Sequence, residues 1–244
     1  MKTDLTKIMF LDIETVPQTA DFSQMSNELA HLWEDKFSTI HKRMPEKYSE
    51  ETTAAEAFKT SAGIYAEFGK IVCISVGFIY FQGKEMNFRT KSFSGDDEKI
   101  ILSEFSNLIS KFCVTSDHTL CGHNIKEFDI PYICRRMLIN GLKLPVIFNI
   151  AGKKSWEIKF LDTLELWKFG DYKNYTALKL LTAVFGIPSP KDDIDGSQVA
   201  EVYYREQNID RIALYCQKDV VATAQVFLRM NGLELIKSEN IQFI

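Results

Sequence analysis

The sequence predicts an α/β fold, a mixed five-stranded sheet with helices on both faces. Residues 7–13 (KIMFLDI) are a short apolar run ending in charge, as a buried strand reads where its C-terminal end opens onto a site. Residues 70–82 and 85–93 are β-branched and aromatic on either side of a Gln82-Gly83-Lys84 turn, which reads as a hairpin. Downstream, segments with apolar residues at helical spacing alternate with short apolar runs, an order that builds a sheet covered on both sides.

Each element has its own local signal. The first strand ends at Asp12-Ile13-Glu14. Residues 19–61 then turn polar and Glu-rich, with Leu29, Leu32, Trp33, Phe37 and Ile40 at helical spacing, so an insertion of two or more helices is expected. The hairpin supplies the second and third strands. Asp96, Asp97 and Glu98 precede Ile100, Ile101, Leu102, Phe105, Leu108, Ile109 and Phe112, a capped helix with acids in its first turn. Residues 119–123 make a fourth strand. Residues 128–140 are helical, with Pro131 suited to the first turn and Gly141 as the stop. Residues 158–166 (IKFLDTLEL) are expected as a fifth strand and 177–185 as a helix ended by Gly186. Asp195-Gly196-Ser197 starts another helix, and the last runs from about residue 210 to 230. No repeat, linker or low-complexity segment interrupts residues 1–244, so one domain is expected.

Composition removes several classes of function. A chain of 244 residues with 45% hydrophobic content can bury a sizeable core. No apolar stretch reaches the length of a membrane span, and the N-terminal residues lack a signal-peptide layout, so no membrane partner and a cytoplasmic location are expected. Five cysteines, an odd number with no C-x-x-C pair, argue against a disulfide framework or a zinc site. The net charge of -4 does not advertise a nucleic-acid binder. It does not exclude one either, because a carboxylate site that binds cations is acidic by construction and the ions reverse its field.

The acidic residues that end these elements carry the chemistry. Asp12 and Glu14, at i and i+2 of a strand, point the same way while Ile13 points to the other face. Such a pair is a hard-oxygen ligand set suited to Mg²⁺ or Mn²⁺, with positions left for water and phosphate oxygens. Alone it also describes an ordinary solvated strand end. Asn124 follows the fourth strand and suits an Asx-turn, and Asp129 at a helix start suits a cap. Tyr215 and Asp219 lie one turn apart on one helix face, a spacing equally open to a core tyrosine beside a surface acid.

Read together, these stretches resemble a known family. Gly122-His123-Asn124-Ile125-Lys126-Glu127-Phe128-Asp129-Ile130-Pro131-Tyr132 resembles the second exonuclease motif of family B DNA polymerases, and Tyr215 with Asp219 is similar to the third. With Asp12-x-Glu14 in first place, the chain resembles the tyrosine branch of the DEDD 3'-5' exonucleases over residues 8 to about 230, in a stand-alone form. The resemblance implies a ribonuclease H-like fold and a two-metal mechanism using Mg²⁺ or Mn²⁺. It makes Asp12, Glu14, Asp129 and Asp219 metal ligands, and Tyr215 the residue that orients the attacking water. Asn124, Phe128, Ile13 and Thr15 would contact the last nucleotides, although Phe128 suits core packing equally well. The implied partner is the 3' end of single-stranded or frayed DNA, released as nucleoside 5'-monophosphates. An exoribonuclease, or a non-catalytic nucleic-acid-binding module on the same fold, are the competing readings. Further similarity lies in Asp162 and in residues 191–199 (KDDIDGSQV). Polymerase palm and fingers motifs have no room in 244 residues, and the 19–61 insertion has no assigned counterpart.

Overall fold

The structure is a computed structural model that describes residues 4–171, 175–188 and 194–244, the side chain of residue 155 excepted. Strand β1 (Ile8–Pro17) pairs antiparallel with β2 (Gly69–Gln82), which returns through Gly83 and Lys84 into antiparallel β3 (Glu85–Ser94). On the other side β1 runs parallel to β4 (Thr119–Gly122), and β4 to β5 (Leu161–Asp162). A last short strand, β6 (Ile241–Phe243), lies parallel to β3, giving the order β5-β4-β1-β2-β3-β6. The sheet therefore has six described strands where the sequence reading expected five. Three residues at a sheet edge are too few to display an alternating pattern.

Helices cover both faces, and the alternation of β1 shows how. Ile8 and Phe10 pack against Val220, Ala224 and Phe227 of α8 (Ile209–Met230). Met9, Leu11 and Ile13 pack on the opposite face with Ile101, Leu102 and Phe105 of α3 (Glu98–Phe112) and Ile130, Ile133 and Met137 of α4 (Asp129–Ile139). Burying a side chain of this size is worth about 1.5–3 kcal/mol, so the two faces together fix the register of β1. Gly141, at φ +69°, ends α4 in the left-handed region that suits glycine.

The insertion is helical as expected. Helix α1 (Asn27–Arg43) begins at Ser26, and α2 (Ala54–Ser61) begins with a capping box between Thr53 and Glu56. Trp33, Phe37, Tyr48, Phe58 and Phe68 form an aromatic cluster of their own, and Trp33 Nε1 donates to the Ala54 carbonyl at 2.7 Å. The chain just past this unit is tied to α4, since the Tyr132 hydroxyl donates to the Gly63 carbonyl at 2.8 Å.

Two segments depart from the sequence reading. The expected strand over 158–166 is only the two residues of β5, followed at once by helix α5 (Thr163–Lys168). The Asp162 carboxylate accepts the N–H groups of Leu164 and Glu165, an N-cap that turns a run of helix-favouring residues out of the sheet. After α6 (Leu178–Val184), the helix expected from Asp195 starts later, as the single turn α7 (Val199–Glu201) continuing into a π-helical turn at Val202–Glu206. There Asp195 accepts both the N–H and the hydroxyl of Ser197, closing a local turn that competes with the helix. All five cysteines are free thiols, with Cys73, Cys121 and Cys216 buried. No helix among the described residues is long and apolar enough to cross a membrane.

One buried ion pair joins α3, α4 and β2. Arg136 donates through Nε and Nη2 to Glu98 at 2.8 and 2.5 Å and through Nη1 to the Ala66 carbonyl, while the Ile71 N–H and Asn140 also donate to Glu98. Arg136→Ala is expected to destabilise the fold by about 3–5 kcal/mol, because it leaves a buried carboxylate without its partner. Urea unfolding would show this as a lowered midpoint. Glu98→Leu combined with Arg136→Met should cost less than the single change.

Candidate active site

The cleft begins where β4 stops. The pairing of β4 with β1 ends at Phe10 opposite Cys121, which leaves the edge of β1 beyond it open to the chain that follows Gly122. A Cβ at Gly122 would sit 2.6 Å from Ile125 Cβ, so only glycine lets the chain fold under itself here. Asn124 then takes a left-handed φ of 64°, and the Phe128 N–H closes onto the Asn124 carbonyl at 3.0 Å. This turn places Asp129 as the first residue of α4, buried, with its carboxylate accepting the Ile13 N–H at the open edge of β1.

The other two contributions come from β1 and α8. Asp12 and Glu14 share the β1 face of Ile8 and Phe10, and therefore point at α8. Ile212, Cys216, Val220 and Ala224 bury one stripe of that helix, and Tyr215 and Asp219 stand one turn apart beside it. Asp12, Ile13, Glu14, Asn124, Phe128, Asp129, Tyr215 and Asp219 all line one cleft of about 530 Å³. Thr15 does not line it. A bulge between Glu14 and Thr15 interrupts the register with β2, and the Thr15 hydroxyl bonds the Tyr132 side chain on the opposite face.

Bringing these groups together is electrostatically unfavourable. Burial pushes Asp12 well above the ordinary carboxylate range, and the charges of Asp129 and Asp219 push it further, against a hydrogen bond from Cys216. Glu14 is raised by burial, then by Asp12 and Asp219. Asp129 is raised to about 7, mainly by burial, with the Ile13 N–H among the groups opposing the rise. Burial and the neighbouring carboxylates also raise the Tyr215 phenol, which hydrogen-bonds Asp219 and stays protonated at neutral pH. Carboxylate oxygens held close in a low-dielectric cleft are a donor set that hard divalent cations fit. Oxygens of Asp12 and Glu14 lie with Cys216 Sγ within 4.8 Å of one another.

Four residues in or under this site had little or no part in the sequence reading. Asp162, noted there only for its similarity, accepts the N–H groups of Asn124 at 2.9 Å and Lys126 at 3.2 Å as well as capping α5, so one buried carboxylate holds the Asn124 turn to β5. Its signal was available, since Asp162 followed three residues later by Glu165 is a helix-start pattern. Cys216 donates to Asp12 Oδ2 at 3.3 Å from beneath. His123 bonds Thr163 through Nδ1 at 2.9 Å and the Thr176 carbonyl through Nε2 at 2.8 Å. Tyr175 lines the same cleft. Of the 191–199 segment, residues 191–193 lie outside the described residues, while Ile194, Asp195 and Gly196 line the cleft.

A mixed sheet flanked by helices, with acids gathered from a central strand, a helix N-terminus and a long final helix, defines a ribonuclease H-like α/β protein. The chain belongs to the family described as a predicted 3'-5' exonuclease related to the exonuclease domain of PolB, whose sequence model matches residues 64–239. That match begins downstream of Asp12 and Glu14, which line the same cleft as the residues inside it. Among curated proteins none matches the sequence. The fold is similar to that of the family B DNA polymerase from the hyperthermophilic archaeon Pyrobaculum calidifontis, with a TM-score of 0.50 and 15% identity over 91% of this chain. The chain spans 24% of that polymerase.

The raised carboxyls make stability depend on pH. A carboxyl whose pKa is higher in the folded than in the unfolded state favours folding fully below the unfolded value, and that contribution is lost as pH rises through the folded value. For Asp129 the window runs from its ordinary 3.8 to about 7. In chelator, Tm should therefore fall between pH 5 and pH 8, and a divalent cation should restore it at pH 8. Asp129→Asn should raise Tm at pH 8 in chelator, by about 2–4 °C for each kcal/mol recovered.

Proposed function

We propose that the protein is a metal-dependent 3'-5' exonuclease that hydrolyses single-stranded or frayed DNA from its 3' end, releasing nucleoside 5'-monophosphates. The observation that carries this reading is the convergence of Asp12, Glu14, Asp129 and Asp219 with Tyr215 on one cleft. Two Mg²⁺ or Mn²⁺ ions would be held there. Asp12 is central, feeling both Asp129 and Asp219, while Glu14 feels Asp12 and Asp219 more than Asp129. Asp12, Glu14, Asp129 and Asp219 are the residues that would hold the ions. When bound, the ions supply the positive charge that lowers the pKa of the attacking water and offsets charge on the leaving 3'-oxygen.

The rest of the chemistry belongs to the chain. Tyr215 keeps its proton because burial and carboxylates disfavour the phenolate, so it serves as a hydrogen-bonding group that aims the water and not as a base. Cys216 and the Ile13 N–H hold the Asp12 and Asp129 carboxylates in place from below and from the side. Phe128 is partly buried against Tyr132, their ring centroids 5.5 Å apart, and also lines the cleft, which leaves part of its ring for a base. Ile13 and Asn124 line the same wall and are the other groups proposed to contact the terminal nucleotides. The helical insertion, the sheet and α8 are read as one domain.

An oligonucleotide labelled at its 5' end should shorten as a ladder with Mg²⁺ or Mn²⁺ and stay intact in chelator. Immediate release of the labelled nucleotide would reverse the polarity, and faster loss from a matched RNA would move the substrate class. Asp129→Ala should abolish shortening with the fold intact by circular dichroism. Tyr215→Phe should slow turnover about a hundredfold through a misplaced water, with cation affinity measured by calorimetry nearly unchanged.

A further inference from the structure

A strand that enters an acidic cleft needs a surface for its bases as well as ions for its phosphates. Phe128 supplies one such surface, and Tyr175 stands on the cleft with a different origin, in the chain between α5 and α6. It is 66% exposed, so its ring adds little to the core. Yet the ring is not free to wander. It meets the His123 imidazole edge-on, with centroids 6.1 Å apart, and His123 is itself fixed at both ring nitrogens, by Thr163 and by the Thr176 carbonyl.

We propose that Tyr175 is a substrate-binding residue that stacks a base at the 3' end of the strand, forming with Phe128 an aromatic subsite above the carboxylates. The inference rests on the nuclease reading and adds a residue to it. The phenol shares the cleft with Asp12, Asp129 and Asp219 and feels their charge, which puts it beside the acids and not on a remote surface. Lys179 lines the same cleft and puts a cation on that wall, so base and phosphate of one strand can be met from a single segment. A phenol ring on a supported backing is well suited to this task. Stacking tolerates any base, and a ring already held by its neighbour loses little freedom on binding.

The test uses single-stranded DNA oligonucleotides with a normal or an abasic 3'-terminal nucleotide. Tyr175→Ala should raise KM for the normal oligonucleotide about tenfold, the lower range of one base–aromatic stack, with kcat within about twofold of wild type. Tyr175→Phe should behave as wild type. On the abasic oligonucleotide the penalty of Tyr175→Ala should shrink to about twofold, because the partner in the stack is already missing. An equal KM rise on both oligonucleotides, no rise on either, or a Tyr175→Phe loss as large as that of Tyr175→Ala overturns the stacking role while leaving the nuclease reading intact. A wild-type protein that neither binds nor shortens these oligonucleotides overturns that reading, and this subsite with it.

Discussion

Four carboxylates that repel one another are gathered in one partly dry cleft, and much of the architecture around it supplies the force that keeps them there. β1 is fixed by apolar packing on both faces, α8 by its Ile212, Cys216, Val220 and Ala224 stripe, and α4 by the cluster around Ile130, Ile133 and Met137. Hydrophobic burial worth several kcal/mol per element outweighs the repulsion. The acids are thereby held close together in spite of their repulsion.

The geometry of the acids follows from where pairing ends. Because β4 is short, the edge of β1 beyond Phe10 is free to receive Asp129 through the Ile13 N–H. Asp162 makes that arrangement rigid. Its carboxylate accepts four backbone N–H groups, two from the Asn124 turn and two from α5, so the turn bearing Asn124 and Phe128 is attached to the sheet by a residue outside the acidic cluster. A carboxylate satisfied by amides on this scale anchors the turn without placing a further cation beside the clustered acids.

Most of the site was legible because its signals are local. Strand alternation set the common direction of Asp12 and Glu14, helical spacing that of Tyr215 and Asp219, and the run from Gly122 to Tyr132 has a recognisable motif. The same logic of alternation turns the Thr15 side chain away from Asp12 and Glu14, to the face where it bonds Tyr132 of α4. The sequence reading erred where two local preferences competed. At Asp162, apolar residues suggested a strand while the carboxylate capped a helix, and at Asp195 a side-chain turn delayed one.

The sequence by itself determined the class of fold, the chain order of the acids and which helix faces would be buried, because periodicity and turn chemistry act over a few residues. Only the tertiary structure decided that Tyr175 and Cys216 belong to the site, that Asp162 serves two segments at once, and how far burial shifts each carboxyl. These depend on which distant surfaces dock against one another and how much water they exclude, and no short stretch of sequence records that.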